Sequence, residues 1–557
     1  MKMHNTYGYG QLFCFSGLDG ETSRRDDFVG MLMENPISIR FHFESTVTLN
    51  LPIENPEFYA VTGDILDGKD FFVAVSDRRT VVGKSLVKPS VTTENEAEIN
   101  GDGEFKEIVT AFGGKFYLAT KRVGETYYFT FSYGVKNDKI LTDSELDGIK
   151  SKRLAYFSDK QICPEGKYER IFNKCLSINK ENVYSPEGKI KYRWTTPDRV
   201  PHRFMWIWDS VFHAMAFAEY DIEMAKDSIR AVLGMQDDDG FIAHMMGPDG
   251  FVSEVTQPQV LAWGVWHLYK KSGDKSFIKE CAGPIAKFLL WTKENRDKNS
   301  NGLLEWFTEP DYLGCKCGES GLDNSPRFDF DVEMDAVDFS TYLCNDCYYL
   351  SLIYNELGDK VNADKFMAIY EDVKQKINQR FWSEEDGLYY DALFDGAHTR
   401  VATPSSFLPM LAGVCSQEQA DKMVKVLLDE SRFWTEMPVP SIARDHELYE
   451  KDMWRGCSWL NINYFIIVGL RRYGYNEVAD ELRKRTLDTV YKWYERTGNL
   501  FEFYDAENVV CPWNLKRKGE QPEKPDYRVH VHSITDYNWS ACFTELLILE
   551  SYVYYEK

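Results

Sequence analysis

Trp266-His267-Leu268-Tyr269-Lys270-Lys271-Ser272-Gly273-Asp274, Leu352-Ile353-Tyr354-Asn355-Glu356-Leu357-Gly358-Asp359 and Leu470-Arg471-Arg472-Tyr473-Gly474 share one form: an apolar helical run stops at a glycine, and a second helical pattern starts at once. Glycine reaches the left-handed conformation that ends a helix without steric cost, and so short a connection turns the next helix back antiparallel to the first. Helical hairpins repeated along one long stretch indicate a solenoid or a closed toroid. Closure into an (α/α)6 barrel is the expected form, because the polar and aromatic motifs fall between helices or at helix starts, where a barrel gathers them at one mouth.

Ahead of the hairpins the period is two. Ile37, Ile39, Phe41 and Phe43 alternate with Ser38, Arg40 and His42; Val47, Leu49 and Leu51 follow, and Tyr127, Phe129, Phe131 and Tyr133 close the region. This reads as an antiparallel β domain, a sandwich. After about residue 155 the period turns helical, with about a dozen amphipathic segments. The expected architecture is therefore mainly α: an N-terminal antiparallel β-sandwich domain over 1–155 and an (α/α)6 barrel over 156–557.

A chain of 557 residues, 43% hydrophobic and 15% aromatic, can bury a large core beside a smaller companion domain. A formal charge of -23 argues against nucleic acid or an anionic membrane as partner, since either would repel it at long range. The 14 Trp and 33 Tyr suit sugar stacking and suit a large core equally. The opening Met1 to Gly10 has no apolar stretch of signal-peptide length, and no run approaches membrane-spanning length, so the expected location is the cytoplasm. The 12 Cys, spread from Cys14 to Cys542, read as free thiols. Cys315 with Cys317 and Cys344 with Cys347 lack a matching partner pair, and no metal is expected.

Two runs place a carboxylate among aromatic and turn residues outside any amphipathic helix pattern: Gly321-Leu322-Asp323-Asn324-Ser325-Pro326-Arg327-Phe328 and Asn499-Leu500-Phe501-Glu502-Phe503-Tyr504-Asp505. Paired carboxylates suggest glycoside hydrolysis, which needs one protonated acid at the leaving oxygen and one ionised group across the sugar ring. On the residues alone, an Asx turn at Asp323 and a surface turn at Glu502 stay open. Trp206-Ile207-Trp208-Asp209 begins a helix, either as a cap beside buried indoles or as a grip on a pyranose, whose C–H face stacks on indole while its hydroxyls bind a carboxylate. The run from Gln236 to His244 lacks EF-hand spacing and reads as a solvated turn with Gln236 and His244 at a pocket edge. Gln257-Pro258-Gln259 opens a helix, and Trp454-Arg455-Gly456-Cys457-Ser458-Trp459 combines aromatic and guanidinium groups ahead of an apolar helix.

Arg193 to Arg199, Trp208-Asp209-Ser210, Gly321 to Pro326, Trp454-Arg455-Gly456 with Trp459 and Asn463-Tyr464, Phe501 to Tyr504, and Trp539-Ser540 resemble glycoside hydrolase family 63, above all its bacterial branch and the related mannosylglycerate and glucosylglycerate hydrolases. The resemblance runs over about 165–557, in the family's order. It implies an (α/α)6 barrel and inversion at the anomeric carbon of an α-glucoside, α-mannoside or glycosylglycerate, without a cofactor. By motif position Asp323 resembles the general acid and Glu502 the general base. Trp206, Trp208, Asp209, Gln236, His244, Gln257, Asn324, Trp454, Arg455, Gly456, Trp459, Tyr504 and Trp539 are the expected contacts to a small carbohydrate. Asp323 is expected in an apolar mouth that keeps it protonated, and Glu502 ionised behind a water, with the carboxyls roughly 6.5–9.5 Å apart. Gln257-Pro258-Gln259 and the Glu-Phe-Tyr-Asp form of the base motif depart from the family pattern and bear on substrate identity. Two other classes stay in view: a different (α/α)6 enzyme (unsaturated glucuronyl hydrolase, phosphorylase, or an epimerase using His530 and His532) and a non-catalytic carbohydrate binder, against which the retention of both carboxylates speaks.

Overall fold

A computed structural model describes residues 15–16, 30–34, 38–42, 46–61, 64–77, 79–93, 96–111, 113–158, 162, 164, 166–198, 202, 204–308, 314–329, 333–519 and 532–552. The chain divides into two compact units: Met1–Pro186 with Asp198–Arg203 and Tyr494–Leu500, and Glu187–Pro197 with Phe204–Trp493 and Phe501–Lys557.

The first unit holds two sheets. One has the strand order Phe15–Ser16, Gly30–Glu34, Ser38–His42, Thr46–Asn50, Ser90–Thr93; the other runs Ala97–Gly101, Phe105–Thr110, Lys115–Val123, Thr126–Tyr133, Thr80–Ser85, Phe71–Asp77, Ile65–Gly68, Phe58–Val61. The pairings are antiparallel apart from Phe15–Ser16, which runs parallel to Gly30–Glu34. Ile39 pairs with Leu49 and Phe41 with Val47, and these side chains join Val73, Val81, Phe116 and Phe131 of the larger sheet in one buried cluster. The alternation of the sequence thus sends one face of each sheet into a shared core. Ile37 and Phe43, the ends of that alternation, lie outside the described residues.

The larger sheet buries a second face as well. Ile65, Phe72, Ala74 and Val82 pack against Leu146, with Ile149 and Leu154 alongside, all on the helix Asp143–Ser158. This helix starts where Thr142 and Glu145 bond each other's backbone N–H, and Arg153 Nε reaches the wholly buried Asp64 carboxylate at 3.1 Å. The division expected at residue 155 therefore falls inside a helix, because the helical period begins with an element that covers the sheet rather than with the hairpins. The helix Glu169–Glu181 also falls within the first unit's span.

The second unit is built from the hairpins. Gly273, Gly358 and Gly474 take φ of +65°, +76° and +84°, and Asp274 and Asp359 then cap the next helix by accepting from Ser276 N and Phe277 N, and from Asn362 N. Ile207–Phe217, Leu261–Ser272, Val337–Glu356, Pro404–Met410, Leu460–Arg472 and Asn538–Leu549 pack in succession, and the last returns against the first. Ile222–Leu233, Lys275–Asn295 and Lys360–Phe381 each pack on the helix that precedes them in sequence. Phe465 sits where these inner elements meet, with ring centroids at 5.6 Å from Phe212, 5.4 Å from Trp263, 6.3 Å from Tyr342 and 6.1 Å from Phe543. Pro404–Met410 is a 3-10 rather than an α element, with Pro404 at its start and Pro409 within it. Among the described residues no helix is long and apolar enough to cross a membrane.

Two buried ionic groups tie segments of this unit together. Asp346, from the middle of Val337–Glu356, accepts from Ala262 N at 2.9 Å and Trp263 N at 3.0 Å and so caps Leu261–Ser272 from outside. Burial is the largest influence on it and pushes its carboxyl up to about 7, against those N–H bonds. Arg327 donates to both oxygens of Asp391 at 2.7 and 2.8 Å, to Asp338, and to Ser405 Oγ at 2.9 Å. Burial opposes its charge, and Asp338 and Asp391 outweigh that penalty, so the guanidinium stays charged.

Arg327→Met should lower unfolding free energy by about 3–5 kcal/mol, since it leaves two carboxylates buried without their cation; denaturant titration beside wild type measures this. Asp346 gives a pH signature. Its folded pKa lies above the unfolded one, so its contribution is complete below about pH 4 and is lost as pH rises through about 7, by up to about 1.4 kcal/mol per pH unit. Asp346→Asn removes this titration, and the stability difference between variant and wild type should move in the variant's favour across that window.

Candidate active site

The 321–328 run is a loop held at many points. Gly321 has φ +70°, and a Cβ there would meet the Trp208 ring at 2.3 Å, so the residue must be glycine both for its backbone and for the indole laid against it. The Asp323 carbonyl accepts from Lys316 N at 2.9 Å and Cys317 N at 3.3 Å. Asn324 spends both ends of its amide on a second segment: Nδ2 donates to Asp452 Oδ1 at 3.1 Å, and Oδ1 accepts from Trp454 N at 3.0 Å. These bonds aim Asp323, whose Oδ2 lies 2.6 Å from Lys518 Nζ. The expected apolar surroundings of Asp323 are corrected by this contact: an ammonium faces the carboxyl.

Glu502 is positioned by backbone on both sides. Its N–H donates to Ile534 O at 2.8 Å, its carbonyl accepts from Ser540 Oγ at 3.3 Å, and Phe501 N donates to the hydroxyl of the buried Tyr504 at 3.0 Å, closing the turn. The Glu502 carboxylate is 2% exposed and meets Arg517 edge-on, Oε2 with Nε at 2.8 Å and Oε1 with Nη2 at 3.0 Å. Burial works against the Arg517 charge; Glu502 overcomes it, with a smaller pull from Asp323, and the guanidinium is held above its ordinary value. Adjacent residues thus carry the partners of the two carboxylates: Arg517 for Glu502 and Lys518 for Asp323.

Indoles surround the helix starts. Trp454 and Trp459 stack at 3.7 Å with 1° between planes, and Trp459 and Trp208 each meet Trp539 edge-on at 5.5 Å. Trp208 and Asp209 lie buried in the first turn of Ile207–Phe217, whose Trp208 N donates to Gln257 Oε1 at 3.1 Å. Trp459 caps Leu460–Arg472, and Trp539 lies in the first turn of Asn538–Leu549. These indoles therefore sit at helix N-termini, whose partial positive charge suits carboxylates and hydroxyl oxygens. The Trp459 indole N–H donates to Met453 O at 3.1 Å, whereas those of Trp454 and Trp539 are buried and bond nothing among the described residues. His244 bonds Ser253 Oγ at 2.5 Å and feels both Asp323 and Lys518; burial holds its imidazole down at about 4, so it is neutral.

Some expected residues do other work. Gln236 gives its amide N–H groups to Gly240 O and Pro284 O, both at 2.9 Å, and so pins a turn. The Arg455 guanidinium is taken up by Asp329 at 2.9 and 2.8 Å and by Glu450 at 3.3 Å, with Asn324 O at 3.4 Å; it braces the Asp323 loop. Gly456 has φ +153°, and a Cβ there would strike Glu450 O at 2.1 Å, a backbone requirement. Trp206 packs edge-on to Phe204 at 6.0 Å. His530 lies outside the described residues. Sequence reasoning missed Arg517, Lys518 and Asp452. The first two were visible as a cationic run in an acidic chain, and Asp452 carried no signal.

The family profile described as mannosylglycerate hydrolase MGH1-like glycoside hydrolase domain matches residues 201–540. An uncharacterized protein of Borreliella burgdorferi is 27% identical over 251 residues, 44% of this chain and 50% of that protein, so the chain spans about half of that relative's length. Mannosylglycerate hydrolase MGH1 of Selaginella moellendorffii is 25% identical over 395 residues, 56% of this chain and 77% of its own. The crystal structure of GH63 mannosylglycerate hydrolase from Thermus thermophilus with Tris and D-glycerate superposes with TM-score 0.55 at 20% identity, over 68% of this chain and 99% of that one, a likeness of fold. A profile that spans more than half of the chain, over the stretch that carries both carboxylates and the indoles, settles the kinship: the chain belongs to the MGH1-like hydrolases of glycoside hydrolase family 63.

Proposed function

We propose that this glycoside hydrolase inverts an α-glycosidic bond, with Asp323 as general acid and Glu502 as general base. One observation carries the reading: side chains from two remote runs, 321–328 and 499–505, are held by the adjacent residues Arg517 and Lys518. A sugar seated there would stack on indole, take hydrogen bonds from the N–H groups of Trp454 and Trp539, and present its hydroxyls to Asp209. His244, Gln257 and Asn324 would shape the pocket. Glu502, fixed by Arg517, accepts a proton from a water on the face opposite the leaving group, and the water oxygen bonds the anomeric carbon as Asp323 hands its proton to the departing oxygen. The route uses these two carboxylates and water alone.

The catalytic frame in this proposal is an (α/α)6 barrel. The packing of six inner elements around Phe465, the last against the first, supports it, and the barrel would take up most of 156–557 beside a β-sandwich over 1–155. Relatives named mannosylglycerate hydrolase make α-mannosylglycerate the first substrate to try, with α-glucosylglycerate next. Ten unbridged cysteines among the described residues accord with a reducing compartment, the cytoplasm.

Incubation with α-linked disaccharides and glycosylglycerates, followed by reducing-sugar release, tests the reaction class; no release from any would reject it. Asp323→Asn and Glu502→Gln keep shape and remove proton transfer, and each should cut turnover about 10²–10⁴-fold. An aryl α-glycoside with an activated leaving group should partly rescue the Asp323 variant and leave the Glu502 variant inactive. Proton NMR should show the β-sugar before mutarotation. The α-anomer first would make Glu502 a nucleophile.

A further inference from the structure

A general acid must hold a proton when the glycosidic oxygen arrives, yet Asp323 Oδ2 lies 2.6 Å from the Lys518 ammonium, a partner that favours the bare carboxylate. The contact is built rather than incidental. Lys518 N and Gly519 N donate to Asp452 at 2.9 and 2.6 Å, and the same carboxylate receives Asn324 Nδ2 at 3.1 Å, so one buried side chain fixes the backbone beside Lys518 and beside Asp323 at once. Met453 N also donates to Lys516 O at 3.1 Å.

We propose that Lys518 is a positioning residue for Asp323: its ammonium holds the acid in place between turnovers and sets the pH above which the acid is empty. The proposal rests on Asp323 being the general acid. In the reaction the proton on Asp323 passes to the glycosidic oxygen as the C–O bond breaks, the hydroxyl of the attacking water completes the sugar, and its other proton goes to Glu502; Lys518 keeps all of its own protons. Charged and titratable groups that face the pair include Arg517, which bonds Glu502, attracts Asp323 and repels Lys518; Asp452, which accepts from Lys518 N; His244, which is neutral; and the Cys315 thiol, which acts on Lys518. Burial opposes the Lys518 charge and Asp323 outweighs it, so the ammonium persists across the working range. Arg517 is engaged with Glu502 by its bidentate contact, so substitution of Lys518 changes the field at Asp323 and keeps that contact in place.

The test is the pH dependence of kcat/KM for α-mannosylglycerate and for 4-nitrophenyl α-mannoside, in wild type, Lys518→Met, Lys518→Gln and Lys518→Arg. Met preserves the apolar stem and Gln the polar tip, so one folded neutral variant suffices. With the ammonium gone, the alkaline limb for the unactivated substrate should move up by about 1–3 pH units, the range by which a neighbouring cation shifts a carboxyl. Lys518→Arg should leave the limb near its wild-type place, and the activated aryl glycoside should show little dependence on the substitution. An alkaline limb that stays put in a folded neutral variant, or that moves equally in Lys518→Arg, overturns the proposal. Full activity of Asp323→Asn on α-mannosylglycerate would instead overturn the acid assignment beneath it, and the two failures are told apart by which variant reports them.

Discussion

Asp452 is the constraint from which the site follows. Its carboxylate is fully buried and collects Asn324 Nδ2, Lys518 N and Gly519 N, three donors from two segments remote in sequence. A carboxylate without a cation is expensive to bury, and burial does push this one up, against the N–H bonds that it accepts. The expense is tolerated because those same bonds do geometric work. They fix where the residue after Asp323 sits and where the backbone of Lys518 runs, and through Trp454 N on Asn324 Oδ1 they reach the indole stack. An apolar residue of similar size would pack there and leave all three donors without a partner.

The other ion pairs extend the same principle outward. Arg327, four residues after Asp323, is locked between Asp391 and Asp338, while Arg455 grips Asp329 just beyond it. The loop therefore carries one buried cation itself and is gripped by a second from the neighbouring segment, and these limit small displacements of Asp323, which the proposed role as acid would not tolerate. Such pairs contribute little net stability compared with an apolar core, and their value here is one fixed arrangement.

Much of this frame was legible in sequence, and the reasons are local. The hairpin glycines demand a backbone region other residues avoid, so Gly273, Gly358 and Gly474 marked helix ends that the structure places at positive φ. Strand alternation around Ile39 and Phe41 reported a buried face directly. Trp208 came forward as an indole at a helix start and Trp539 through the family resemblance, and here they pack on one another. What sequence could not show was pairing across long separations. Arg455 beside Trp454 looked like a ligand contact, and only the fold brings Asp329 to its guanidinium. Lys516-Arg517-Lys518 matches no motif, and nothing local announces that Arg517 and Lys518 turn inward to meet Glu502 and Asp323. The acceptors of the Gln236 amide, Gly240 O and Pro284 O, were hidden in the same manner where they are remote in sequence.

The charge arithmetic around Asp323 and Glu502 explains why an acidic protein carries cations at this point. Two carboxylates close to one dipeptide, in surroundings of low dielectric, would repel each other and draw protons indiscriminately if left alone. Neutralising both with fixed partners removes the repulsion, but uniform partners would make the two carboxyls alike, and acid–base catalysis needs them different. The partners here are not uniform. Arg517 is a rigid planar fork engaged at both Glu502 oxygens, a contact that holds its geometry; Lys518 is a point charge on a flexible stem, engaged at one Asp323 oxygen. A lysine can yield its place to an incoming glycosidic oxygen by rotating a few bonds, whereas a bidentate arginine cannot. In the proposed reaction, the asymmetry between acid and base would thus lie in the choice of cation rather than in the carboxylates, which differ only by one methylene.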